Sequence, residues 1–224
     1  MTHLLLPVPS VDEGGHIKGD GPLQEVLEKL SPAATIVGGN LPRDLLGDHP
    51  VIDLLQDEDY VCQNAYITAH CAMALAAEQL DTTFRDCRCL IIGWGRIGKC
   101  LAEVMVRLEA EVTVAARKAG QLALAESMGC APLPLCRLGQ EEVGWDLVIN
   151  TVPSPILGQK RLSGAGVPVL MELASPPGGF DMEWVEASGL RHIPAPGLPG
   201  KVAPAAAARA IRTTLYAMLE ELGV

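Results

Sequence analysis

Cys89-Leu90-Ile91-Ile92-Gly93-Trp94-Gly95-Arg96-Ile97-Gly98-Lys99 is the stretch that decides the fold of this chain. A short apolar run feeds directly into G-x-G-x-x-G, and an amphipathic helical pattern follows at Leu101, Val104, Met105 and Leu108. Strand, tight glycine turn and helix in that order are what a dinucleotide-binding fold requires. Gly93 allows the turn, Gly95 lets the backbone approach a pyrophosphate, and Gly98 lets the helix pack on the strand. Trp94, Arg96 and Ile97 fill the remaining positions of the turn. The N–H groups and dipole at the helix N-terminus are the expected phosphate holders.

Reading outward, the second strand is expected at Val112 to Ala116. NAD-preferring folds place an Asp or Glu at its end, about 20 residues after the first glycine. Here Ala116 stands in that place, followed by Arg117 and Lys118. An alanine accepts nothing from a ribose 2′-hydroxyl, whereas two cations suit a 2′-phosphate. The pattern therefore predicts NADP over NAD. Farther on, Asn150-Thr151-Val152-Pro153-Ser154 follows the buried run Asp146 to Ile149. In such folds this strand end passes the nicotinamide ribose, so Thr151, Val152 and Pro153 are expected beside the cofactor.

The remainder alternates strand-like and helix-like patterns. Strands are expected at His3 to Val8, Ala34 to Gly38, Val51 to Leu55, Cys89 to Ile92, Asp146 to Asn150, Val167 to Leu173 and His192 to Ala195. Helices are expected at Leu23 to Leu30, 98–109, 119–128 and 182–188. A long apolar helix, Ala65 to Leu80, is capped in this reading by Asn64. The alternation predicts an α/β fold with a doubly wound parallel sheet, of Rossmann type, and a second, smaller α/β domain. The smaller domain is 1–63, joined by a C-terminal helix within 205–224, and the dinucleotide-binding domain is 64–204. Two chain crossings, near Asn64 and Pro204, make the cleft between the domains the expected substrate site.

Composition narrows the function classes. Of 224 residues 49% are hydrophobic, enough for a substantial core. No apolar run reaches the roughly 20 residues of a membrane span. Met1 to Pro9 is too short for a signal peptide and lacks a basic start, and a cytoplasmic protein is expected from cysteines that follow no disulfide framework. The net charge of -10 argues against nucleic acid and anionic membranes as partners. Seven cysteines follow no disulfide or zinc spacing, so they read as reduced and structural, and no metal site is expected.

From about Leu5 onward the chain resembles the dipicolinate synthase A family, dehydrogenase-like proteins of spore-forming bacteria. The resemblance rests on LLLPVPS at 4–10, NAYITAH at 64–70, IIGWGRIGKCLA at 91–102, VTVAAR at 112–117 and INTVPSPIL at 149–157. LASPPGGFD at 173–181 and APGLPGKVAP at 195–204 are more specific than a glycine fingerprint, because related dehydrogenases seldom combine them. The family has about one further βαβ unit before the strand that opens this chain. It usually has Glu and Gly where His70 and Cys71 stand, and Lys-Thr-Ala-Gly where Ala205 to Ala208 stand.

The resemblance implies oxidation of a dihydrodipicolinate-type ring with NAD(P), beside a flavoprotein-like second subunit. Hydride leaves a ring carbon for the nicotinamide, and a proton is lost. His70 is the candidate base, since an imidazole titrates near neutral pH. Ser10, Asn64, Thr68 and Lys201, the only cation in its glycine-rich loop, are the candidate anchors for a small dicarboxylate substrate, and His16 and Lys18 in the 10–22 loop are candidates to close over it. Two other readings stand beside this one. One is a nucleotide-binding regulatory or partner subunit without turnover; the other is a shikimate- or 2-hydroxyacid-type dehydrogenase. The exposed sheet edge of the small first domain predicts pairing with another chain, as in a homo-oligomer.

Overall fold

The structure, a computed structural model, describes residues 3–12, 14–140, 144–162 and 168–221. The chain divides into two compact units, Met1–Asn64 with Ala207–Val224, and Ala65–Ala206.

The first unit is a small parallel sheet. Strand β1 (His3–Leu5) is followed by helix α1 (Leu23–Leu27), β2 (Thr35–Gly38) and β3 (Val51–Asp53), in the sheet order β1-β2-β3. Pro7 and Pro9 supply no N–H for a ladder, so β1 stops short of the expected Val8. Leu6, Ile17, Leu23, Ile36, Leu41 and Leu46 form the core. At the carboxyl ends of the strands the Asp53 carboxylate accepts from the N–H groups of Asn40 (3.0 Å), Leu41 (3.0 Å) and Leu55 (2.9 Å).

The 10–22 segment is a tied turn rather than an open loop. Val11 bridges Ile17, His16 bridges Pro22, and Ile17 is buried. The Asp12 side chain accepts from the N–H groups of Gly14 and His16, and its carboxyl is held below the usual range chiefly by the His16 N–H.

Helix α2 (Glu58–Ala77) begins earlier than its apolar pattern suggests. Asp57 caps it, accepting from the Tyr60 N–H at 2.6 Å, and Glu58 and Asp59 favour the positive end of the helix dipole. Asn64 therefore lies inside the helix and is not its cap.

The second unit holds β4 (Arg88–Ile92), α3 (Arg96–Arg107), β5 (Glu111–Ala116), α4 (Ala119–Ser127), β6 (Ala131–Pro134) and β7 (Leu147–Asn150). It continues through α5 (Gln159–Leu162), β8 (Val169–Glu172), α6 (Met182–Ser188), β9 (His192–Pro194) and α7 (Leu198–Val202). All six strands are parallel in the order β6-β5-β4-β7-β8-β9, the doubly wound arrangement with its switch point between β4 and β7. Alternate residues feed opposite faces. Cys89, Ile91, Leu147, Ile149, Val169 and Met171 pack with Ala72, Ala76, Leu101 and Met105 on one side. Leu90, Ile92, Val148 and Leu170 pack with Leu157, Phe180 and Val185 on the other. A sheet buried on both faces accounts for the near-continuous apolar runs.

Strand β6, Ala-Pro-Leu-Pro, is not expected from its sequence, because prolines argue against a strand. It sits at the sheet edge, where proline is tolerated. Two short helices, α5 and α7, are likewise absent from the sequence pattern. The final helix α8 (Pro204–Glu221) follows the expected course. Val167 and Leu222, the expected ends of a strand and of this last helix, lie outside the described residues. Among the described residues no helix is long and apolar enough to cross a membrane, and no cluster of metal-ligating side chains occurs.

All seven cysteines are free thiols. Burial pushes the Cys71 and Cys130 thiols up, and burial with the Asp146 charge pushes Cys87 up to about 11. Cys89, wholly buried, is held well above the ordinary value by desolvation first and then by its thiol neighbours. Exposed Cys62 and Cys136 are therefore expected to react fast with a thiol reagent at pH 8, while these four react only on unfolding. A folded value above the unfolded one also has a sign. The stability these thiols contribute is complete below their unfolded range, about 8.5, and is lost as pH rises towards 11. Denaturant unfolding between pH 8 and 10.5 checks this, with a shallower decline for Cys87→Ala; equal slopes would refute the assignment.

Candidate functional site

At the carboxyl ends of β4, β5 and β7 the second unit opens a cavity of about 480 Å³. Gly93, Trp94 and Gly95 form its floor, Ala116, Arg117 and Gln121 one side, and Thr151, Val152, Pro153, Ser154 and Ile156 the other. These three segments come from distant parts of the sequence, and the switch point of the sheet brings them together.

The glycines differ in what they do. Gly93 has φ +100°, and a Cβ there would meet the Thr151 hydroxyl and lie 2.8 Å from Val152 Cγ2. A Cβ on Gly98 would meet the Gly93 carbonyl oxygen, so Gly98 serves close packing of α3 against the turn. Gly95 has nothing within 4 Å of a would-be Cβ. Its space is open to whatever enters the cavity. Gly95 also precedes the first residue of α3 and, having no side chain, makes no side-chain cap at that helix end.

The walls are fixed by hydrogen bonds. The Gly93 N–H donates to the Ala115 carbonyl at 3.0 Å. Both the Thr151 N–H (3.0 Å) and its hydroxyl (2.8 Å) donate to the Ile92 carbonyl. Thr151 thereby clips the β7 end to the β4 end, and its hydroxyl is committed to that task. The Trp94 indole N–H is buried without a partner, and the residue packs into the core that backs the sheet.

Other expected positions fall elsewhere. Arg96, Ile97 and Gly98 lie in the first turn of α3 and do not line the cavity, and Lys118 precedes α4 as an exposed residue. Ser10 is buried in the first unit, its hydroxyl donating to the Asn40 carbonyl at 3.3 Å. His16 is exposed beside Asp12 at 3.7 Å, and Lys18 is exposed. Along α2 Asn64 is half-buried, Thr68 buried and His70 exposed, with the His70 ring 4.3 Å from the Tyr66 ring. Lys201 is exposed in the last turn of α7 rather than in a glycine-rich loop. Gln121, Leu135 and Ile156 are lining residues that the sequence pattern does not mark. Gln121 is within reach of sequence reading, since it lies in the first turn of the helix that follows Arg117.

Beneath the cavity lies a second polar centre that the sequence pattern also leaves unmarked. Glu172, at the end of β8, accepts from the Asn150 side chain and from two backbone N–H groups. On β9 the His192 imidazole packs edge-on against Phe180, its Nε2 buried without a partner. Burial lowers its pKa, and the Glu172 charge opposes that in part.

Six parallel strands wound about a glycine turn, with a cavity at the switch point, define a dehydrogenase-type protein with an NAD(P)-binding oxidoreductase-like fold. No family model matches the chain. Dipicolinate synthase A of Bacillus subtilis (strain 168) is 34% identical over 173 residues, covering 77% of this chain and 58% of the relative. The chain thus spans less than two thirds of that curated relative. Dipicolinate synthase A from Bacillus halodurans superposes with a TM-score of 0.88 at 27% identity, over 97% of this chain and 79% of that one. An L-alanine dehydrogenase shares the fold, with a TM-score of 0.69 at 17% identity over 90% of this chain and 69% of that one. The chain belongs to the dipicolinate synthase A family.

Proposed function

We propose that the chain is an NAD(P)-dependent oxidoreductase of the dipicolinate synthase A type, acting on a dihydrodipicolinate-type ring. The observation that carries this reading is the cavity itself, whose floor is the glycine turn and whose walls are the ends of β5 and β7. The residues present fit a dinucleotide. Gly95 leaves the space open, and the start of α3, where Gly95 brings no side chain, suits a pyrophosphate.

Gly93, Trp94 and Gly95 would cradle the phosphates, with Arg96, Ile97 and Gly98 supplying the helix start behind them. Ala116 leaves room beside the adenosine ribose, and Arg117 and Lys118 would neutralise a 2′-phosphate, which supports NADP as the preferred cofactor. Thr151, Val152 and Pro153 would wall the nicotinamide side. When bound, the nicotinamide supplies hydride acceptance. The chain's part is to hold the ring in line and to take the proton that aromatisation releases. His70, exposed and packed at a tilt against Tyr66, is the group we assign to that proton. Asn64, Thr68 and Lys201 are assigned to the substrate carboxylates, and a partner subunit is expected to accompany the chain.

Calorimetric titration with NADPH and NADH, followed by absorbance at 340 nm on adding dihydrodipicolinate and NADP, tests the reading. Binding with turnover supports it. Binding without turnover, alone and with a flavoprotein-like subunit, favours a regulatory role, and no binding refutes it. For cofactor choice, Arg117→Ala is expected to weaken NADPH by about tenfold or more, the worth of one charge-assisted contact, and NADH by less than about twofold. Equal losses would remove Arg117 from the 2′-phosphate.

A further inference from the structure

Asn150 ends β7 fully buried, where the strand pattern calls for an apolar residue. Its Nδ2 donates to the Val152 carbonyl at 2.9 Å and to Glu172 Oε1 at 2.7 Å, and its Oδ1 accepts from the Val152 N–H at 3.1 Å. One carboxamide thus holds both backbone groups of Val152. Glu172 holds the carboxamide in turn. The same carboxylate accepts from the Ala174 N–H at 2.9 Å and from the Gly179 N–H at 2.7 Å. The Gly179 carbonyl then receives the N–H groups of Ile156 (3.0 Å) and Leu157 (2.8 Å).

The chemistry of these positions is specific. Three N–H donors converge on residue 172, and only a group with no hydrogens of its own accepts them all. Burying an amide and half-burying a carboxylate at a strand end costs solvation, which an apolar pair would avoid. What the polar pair provides in return is a single arrangement of the 151–156 segment, since every bond in it is directional. Thr151, Val152 and Ile156 line the cavity, and Thr151 and Val152 are the side chains that abut Gly93.

We infer that Asn150 and Glu172 are positioning residues for the cavity, setting Val152 and the wall opposite Arg117 at the spacing a dinucleotide needs. This rests on the cavity being the dinucleotide site. Neither side chain lines the cavity; both act through Val152.

Two variants test the inference, with NADPH as the probe. Glu172→Gln keeps the shape but turns an NH₂ towards an N–H donor. It is expected to weaken NADPH about tenfold, while the melting temperature without ligand moves only a few degrees. Asn150→Asp sets a second carboxylate against Glu172, and ionising both in contact is costly, so the pair keeps a proton more readily at the lower pH. At pH 6 a shared proton restores one bond, and at pH 8 its loss opens the turn. The deficit relative to wild type at the same pH should therefore be larger at pH 8 than at pH 6. His192 is the titratable neighbour of the pair on β9, and the wild-type comparison at each pH removes its contribution. A folded Glu172→Gln that binds within twofold of wild type, or an Asn150→Asp deficit equal at both pH values, would overturn the positioning role. Should Glu172→Gln not fold, the pH comparison decides alone. Wild type that binds no dinucleotide fails the cavity reading as well, so the two failures are distinguishable.

Discussion

Gly93→Ala is expected to cripple both folding and binding, whereas Gly95→Ala, two residues on, is expected to cripple binding alone. At Gly93 φ is +100°, which costs an L residue about 1–3 kcal/mol. The added methyl would also meet the Thr151 hydroxyl and sit 2.8 Å from Val152 Cγ2. Overpacking of that kind costs about 1–3 kcal/mol more, because Thr151 is pinned to the Ile92 carbonyl. The sum, roughly 2–6 kcal/mol, corresponds to a melting temperature lower by roughly 5–20 °C in a chain of this size. At Gly95 φ is -83° and no atom lies within 4 Å of the new methyl. The cost there is that of alanine before a helix, about 1 kcal/mol or less. Yet the methyl fills the space a pyrophosphate would use, so affinity for NADPH should fall at least tenfold. Thermal unfolding and titration of both variants give the comparison. A Gly95→Ala protein that binds as tightly as wild type would remove the phosphate role from that turn, and a Gly93→Ala protein with unchanged melting would contradict the packing argument.

Gly179→Ala is the second large effect. A Cβ at residue 179 would collide with the Asn150 carboxamide, which is fully buried and has no room to withdraw. Displacing it breaks the bonds to Val152 and Glu172 together, and an unpaired buried amide costs about 1–3 kcal/mol beyond the steric strain. We expect roughly 3–5 kcal/mol in denaturant unfolding. Asn150→Gly, which removes the obstructing side chain, should recover the steric part but not the hydrogen bonds. A Gly179→Ala protein as stable as wild type would mean that the 173–181 turn relaxes freely away from β7.

The sequence carried the doubly wound sheet because both its faces are buried. Cys89 to Ile92 and Leu147 to Ile149 could hardly be anything but central strands once the glycine turn followed. The turn, Arg117 and the 151–153 segment could be placed together for the same reason: each sits at a strand end, and the topology brings those ends to one cavity. Asn64 misled because a capping residue before an alanine-rich run looks like a helix start. Nothing in the run from Glu58 to Gln63 breaks a helix, and Asp57 caps better. Glu172 was illegible, since its role depends on N–H groups at residues 174 and 179 and an amide at 150, which only the folded chain brings together. Lys201 looked like a cation in a loop because Gly197 and Gly200 mask the short helix around it.

Strand β6 has a consequence for assembly. A proline can stand in an outer strand only with its nitrogen turned away from the neighbour. Pro132 and Pro134, two residues apart, both turn the same way. The margin of the sheet over Ala131–Pro134 therefore offers carbonyl oxygens outward but not a single hydrogen to give. A seventh strand arriving there would find no donor for its own carbonyls, which would meet proline rings at every second residue, and templated growth ends at that boundary.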